Sequence, residues 1–182
     1  MIVVNLFAGP GSGKSTTCAG VFSKLKIAGV NCEMALEYAK DKVWEESIKT
    51  LDNQIYVFGK QLHRMWRLKD KVDVIITDSP LPLSIYYDKS DSAHFKNLVM
   101  EQFNSFDNCN FFIVRDSSYN PKGRLQTREE ACKIDYQLHN LLQDNGIPYD
   151  VVSKEGAIEH ITHSILQLLE ENKYGQYYLL FL

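Results

Sequence analysis

Short apolar runs alternate with amphipathic stretches along most of this chain. Runs at 2–8, 32–37, 73–78, 110–116 and 148–153 are bounded by polar or turn-forming residues, which predicts five strands. The segments between them carry helical spacing. A helix is predicted over 14–28, ended by Gly29, and another over 54–71, where Ile55, Phe58, Leu62, Met65 and Trp66 recur at helical intervals. Shorter helices are expected at 42–51 and 93–106. The segment 127–144 opens on Thr127-Arg128-Glu129-Glu130, a capping-box pattern, and stops at Asn145-Gly146, while 155–172 forms the last helix. Strand alternating with helix is the signature of an α/β fold, a parallel sheet between two helical layers. Ligands of such sheets gather at the carboxyl ends of the strands.

Composition narrows the picture. With 182 residues and 45% hydrophobic content the chain can bury one sizeable core, and no Pro/Gly/Ser-rich linker divides it. The expected organisation is one domain over 1–172 followed by an apolar tail over 173–182, which would pack on the domain or bury a subunit contact. Twenty basic against 23 acidic residues give a net charge of −3, so whole-molecule charge does not steer the chain toward nucleic acid. Cys18, Cys32, Cys109 and Cys132 lie far apart in or beside apolar segments, as reduced core thiols would, which points to the cytoplasm. The first residues lack the marks of a secretory leader, and no run reaches the ~20 apolar residues of a membrane span. His160 and His163 have no companion ligands at zinc-site spacing and read as helix-surface residues.

The candidate chemistry begins directly after the first strand. Ala8-Gly9-Pro10-Gly11-Ser12-Gly13-Lys14-Ser15 matches a phosphate-binding loop except at its first position, where Ala8 replaces glycine. Glycines allow the backbone to turn its N–H groups onto phosphates, and the following helix adds the positive end of its dipole. Gly9, Gly11, Ser12, Gly13, Lys14, Ser15 and Thr16 are therefore the expected ATP-binding set, with Lys14 on the β- and γ-phosphates and Ser15 on Mg²⁺.

Other strand ends add polar groups. Val74-Ile75-Ile76-Thr77 carries Asp78 to the same edge, where its carboxylate supplies a second Mg²⁺ ligand or caps the turn before Pro80. Leu36-Glu37-Tyr38 closes the second strand. Glu37 is placed to accept the proton of an attacking hydroxyl and Tyr38 to wall an acceptor pocket, unless Glu37 simply heads the next helix. Arg124 and Arg128 flank a Gly-containing segment suited to a lid over about 117–128, with Arg115 assisting. As ordinary surface residues they would instead pair with acidic neighbours. Gln61 and Arg64 would read an acceptor's edge if they face the cleft, although their helix more simply turns them to solvent.

These patches, together with Leu36-Glu37-Tyr38-Ala39-Lys40-Asp41, Thr77-Asp78-Ser79-Pro80 and Gly123-Arg124, make the chain resemble small P-loop kinases. It is similar to the ribosylnicotinamide kinase domain of the bacterial NAD regulator and to the AAA-domain P-loop proteins of tailed bacteriophages. The resemblance implies a three-layer P-loop NTPase fold, strand order 2-3-1-4-5, use of ATP and Mg²⁺, and transfer of the γ-phosphate to a nucleoside, nucleotide or ribosyl-pyridine hydroxyl. A hydroxymethylated base in DNA is the alternative acceptor, for which Lys60, Arg64, Arg67, Lys69 and Lys71 would form a basic groove. A nucleotide-binding regulatory module is the third reading. Asp78 is followed by Ser79-Pro80-Leu81, and Asn172-Lys173-Tyr174-Gly175 lacks the aspartate that reads guanine, which argues against a guanine-nucleotide switch.

Overall fold

A computed structural model describes residues 1–115 and 127–179, with side chains through 173. The strands are β1 (Ile2–Phe7), β2 (Cys32–Met34), β3 (Val74–Thr77), β4 (Asp107–Val114) and β5 (Asp150–Ser153). All pair in parallel in the order β2-β3-β1-β4-β5. This is the P-loop NTPase arrangement that the resemblance implies. The helices are α1 (Lys14–Ile27), α2 (Tyr38–Trp44), α3 (Gln54–Trp66), α4 (Leu83–Tyr87), α5 (Ala93–Asn104), α6 (Arg128–Asp144) and α7 (Ala157–Leu179).

The central strands β1 and β3 are buried on both faces, which is why they read as continuous apolar runs, while the edge strands β2 and β5 are partly exposed. Alternate residues of β1 serve opposite cores. Val4 and Leu6 pack with Val21 and Leu25 of α1 and Ile161 and Ile165 of α7. Val3 and Phe7 pack with Phe58 and Met65 of α3, Val99 of α5 and Ile134 and Leu138 of α6. Each fully buried Leu, Ile or Phe contributes about 1.5–3 kcal/mol.

Differences from the expected elements have local causes. β2 stops at Met34, because Thr77 Oγ1 donates to Ala35 O at 2.7 Å and the chain then turns into α2, earlier than the predicted 42–51 helix. Residues Ile48–Asp52 form a separate 3-10 turn. Helix α3 ends at Trp66, and α4 is a five-residue helix that has no sequence periodicity long enough to reveal it. Helix α7 continues to Leu179 and so takes in most of the expected tail. Cys18 and Cys32 are buried free thiols, and burial pushes the half-buried Cys109 up to about 11; Cys132 is instead exposed, since α6 turns its Ala131 and Ile134 side inward. No helix among the described residues is long and apolar enough to cross a membrane. They contain no group of three or more potential metal ligands drawn from His, Cys, Asp and Glu.

The box at the start of α6 is complete: Thr127 Oγ1 accepts from Glu130 N at 3.2 Å and Thr127 N donates to Glu130 Oε2 at 2.7 Å. Thr127→Ala is expected to cost about 1 kcal/mol, read as a lower urea midpoint with an unchanged slope.

Candidate functional site

The loop between β1 and α1 folds as its glycines demand. Gly11 and Gly13 adopt φ of 85° and 95°, left-handed values that a side chain resists. Buried Ser12 closes the turn by donating to Gly9 O at 3.0 Å. Lys14 folds back over it, its Nζ donating to Ala8 O at 2.6 Å and to Gly9 O at 3.1 Å. Gly13 also lies under the aliphatic stem of Lys154, whose Cε would be 3.5 Å from an added Cβ.

Asp78 joins this loop to the neighbouring strand end. It is 2% exposed, one residue beyond β3, and its Oδ2 accepts from Ser15 Oγ at 2.6 Å while Oδ1 accepts from the Glu37 N–H at 3.0 Å. Ser15 and Thr16 sit exposed in the first turn of α1. A hydroxyl and a carboxylate in contact, both hard oxygen donors, fit Mg²⁺.

Glu37 occupies the N-cap position of α2, but its side chain caps nothing there. Burial pushes its carboxyl above the usual range, the Lys14 ammonium pulls it back, and the Asp78 carboxylate pushes it up further. For Lys14 the order is the same in mirror image: burial holds the ammonium below its ordinary value, against the opposing pull of Glu37, Asp78 and Asp135. Lys14, Glu37 and Asp78 thus form one electrostatic group assembled from three adjacent strand ends. Tyr87 at the end of α4 adjoins it: the residue is exposed overall, yet what burial its hydroxyl has raises the phenol, and the Glu37 charge raises it further.

The helix α3 residues differ from their sequence reading. Gln61 is 3% exposed, not solvent-facing, and its amide is committed internally: Oε1 accepts from Tyr38 N at 2.9 Å, and Nε2 donates to Ala35 O and Thr77 Oγ1 at 3.3 and 3.4 Å. Its place is to brace the β2 end that carries Glu37, with both its oxygen and its amino group engaged there. Arg64 is likewise engaged, donating to Leu36 O at 2.9 Å, paired with Asp41 and lying over the Tyr38 ring. Tyr38 is buried, with its hydroxyl donating to Tyr56 Oη at 3.0 Å. Lys60 lies over Tyr56, so the expected basic groove has at least two of its cations engaged locally.

Arg128 is the first residue of α6 and exposed; Arg124 and the expected lid, apart from Thr127 and Arg128, lie outside the described residues. Arg115, just past β4, donates from Nη1 to Pro10 O at 3.2 Å and from Nη2 to Ala131 O at 3.2 Å, and pairs with Asp135. Asp135 was not legible as a site residue. Its one signal is an acid lying beside the apolar stripe Ala131, Ile134, Leu138 and Leu142 of α6.

Residues 3–160 match a family model described as an AAA domain, and the chain belongs to that family. Among solved structures it is similar to a crystal structure of NadR protein in complex with NR, at 15% identity and a TM-score of 0.64. That match covers 91% of this chain and 50% of the other, so the chain spans half the length of NadR. No curated protein matches the sequence.

The raised carboxyl of Glu37 generates a prediction about stability. Its charge is less favourable in the folded than in the unfolded protein, so at neutral pH it opposes folding, and that penalty fades as pH falls through the raised folded value. Glu37→Gln is expected to melt higher than wild type at pH 7, with the difference shrinking on acidification. An equal or lower melting temperature at pH 7 would show that the carboxylate is compensated.

Proposed function

We propose that this chain is an ATP- and Mg²⁺-dependent phosphotransferase that moves the γ-phosphate of ATP to a hydroxyl of a nucleoside, nucleotide or ribosyl-pyridine acceptor. The observation that carries this reading is the double grip of Asp78 on Ser15 and on the Glu37 backbone, which sets a metal-type oxygen pair beside a carboxylate of raised pKa. A binding module needs only the first of these, and a transfer enzyme makes use of both. Family membership and the NadR-like fold are consistent with it.

In this reading the loop amides and Lys14 hold the ATP phosphates, Lys14 leaving the Ala8 and Gly9 carbonyls to do so. Ser15 and Asp78 would hold Mg²⁺, which when bound neutralises charge building on the phosphate oxygens. Glu37, already inclined to take a proton, accepts the one from the acceptor hydroxyl as its oxygen bonds to the γ-phosphorus; the bond from that phosphorus to ADP breaks, and the proton later passes to water. Tyr38, the next residue in the chain, and Tyr87, whose phenol feels the Glu37 charge, would wall the acceptor. Arg124 and Arg128 would meet charge on the transferring group.

The test is transfer of label from γ-³²P-ATP to a panel of nucleosides, nucleotides, nicotinamide riboside, and DNA with and without hydroxymethylated bases. Label is expected on a small acceptor. Label on modified DNA alone would move the acceptor class, and ATP binding without transfer to any of them would leave a regulatory module.

With the acceptor in hand, Glu37→Gln is expected to keep ATP affinity and slow single-turnover transfer by roughly 10²- to 10⁴-fold. The low-pH limb of the wild-type rate profile should fall at a pH above that of an ordinary carboxylate and vanish in this variant. Asp78→Asn should instead shift the Mg²⁺ concentration required for ATP binding.

A further inference from the structure

Asp135 lies on α6, far from the loop in sequence, yet both its oxygens are spent on the loop's anchorage. Oδ1 accepts from the Gly9 N–H at 2.5 Å and Oδ2 accepts from Arg115 Nε at 2.5 Å, while Arg115 itself donates to Pro10 O at 3.2 Å. The approach is as close as a backbone allows: a Cβ on Gly9 would meet Asp135 Oδ1 at 2.7 Å, Ala131 O at 2.9 Å and Arg115 Nη2 at 3.1 Å. Ala131 and Asp135 are one helical turn apart on α6, so one offers room and the other the acceptor.

We propose that Asp135 is a positioning residue for the phosphate loop. It claims the Gly9 N–H, the last before Pro10, which has none, and so fixes the limb from which the remaining amides turn toward phosphate. A carboxylate beside a phosphate site is in itself repulsive. Arg115 cancels that charge: the two side chains are only 10% and 18% exposed, and they act on Lys14 with opposite sign.

The proposal rests on reading 8–15 as the nucleotide site, and it makes a prediction of sign. If Asp135 acted only through its charge, Asp135→Asn would tighten ATP binding. If it were only a structural bridge, the variant would melt lower and bind ATP as before. As a positioning residue, Asp135→Asn turns an N–H donor toward the Arg115 donors and loosens the limb, so ATP should bind about tenfold more weakly in calorimetry. Asp135→Glu keeps the charge but misplaces it and should fall between the two. Lys14→Ala, measured alongside, separates the two ideas: normal ATP binding there overturns the loop reading itself, whereas a loss there with wild-type or tighter binding in both folded Asp135 variants overturns only the role of Asp135. Should neither variant fold, hydrogen exchange of ¹⁵N-glycine-labelled wild type decides: a protected Gly9 amide supports the anchorage, and an amide exchanging at the rate of exposed backbone overturns it.

Discussion

The candidate site depends on one carboxylate that is fully used. Asp78 is carried out of the core by β3, sits 2% exposed, and divides its two oxygens between the hydroxyl of Ser15 and the backbone N–H of Glu37. A buried carboxylate with an unmet oxygen would cost several kcal/mol, so these two partners are what allow it to be there. The consequence is geometric. The start of α1, the end of β3 and the turn after β2 are tied at one point, and the only freedom left to Glu37 is that of its side chain. Gln61 reinforces the tie through Tyr38, Ala35 and Thr77, so its buried amide backs the Thr77 hydroxyl that ends β2 at Ala35.

Electrostatic tension surrounds that point. Burial works against the charge on Lys14 and on Glu37, and each is partly offset by the other. A fully exposed pair gains little from such an arrangement, and these two groups are partly buried. On the far side of the loop the Arg115–Asp135 pair repeats the logic. Removing one partner of so enclosed a pair leaves an uncompensated charge, at a cost of about 3–5 kcal/mol. The loop is therefore held at its exit by Asp78 and at its entrance by Asp135, each an acid fixed by a neighbour of its own.

Much of this was legible in the sequence because parallel strands buried on both faces must be apolar throughout, and the glycine-rich loop follows the first of them directly. The sheet order came from the resemblance, not from periodicity. Asp78 and Glu37 were legible because a polar residue that ends an apolar run is delivered to a known edge. Gln61 was misread since helical spacing cannot say whether a lone amide on the stripe faces water or fills a gap between strand ends. Asp135 was invisible for the same reason: its partners lie 126 and 20 residues away, and nothing local distinguishes an acid that meets a backbone amide from one that meets solvent. Helix α4, only five residues long, gave no repeat to detect.

The central claim is that Ser15, Asp78 and Lys14 form the phosphate and metal end of a transfer site. A crystal structure with a non-hydrolysable ATP analogue and Mn²⁺, located by its anomalous signal, tests it most directly. The account predicts a metal peak bonded to Ser15 Oγ on the side of Asp78, phosphates under the loop amides, and Lys14 Nζ moved from the Ala8 and Gly9 carbonyls onto phosphate oxygen. Nucleotide bound elsewhere, with the Ser15–Asp78 and Lys14–Ala8 hydrogen bonds intact, would contradict it.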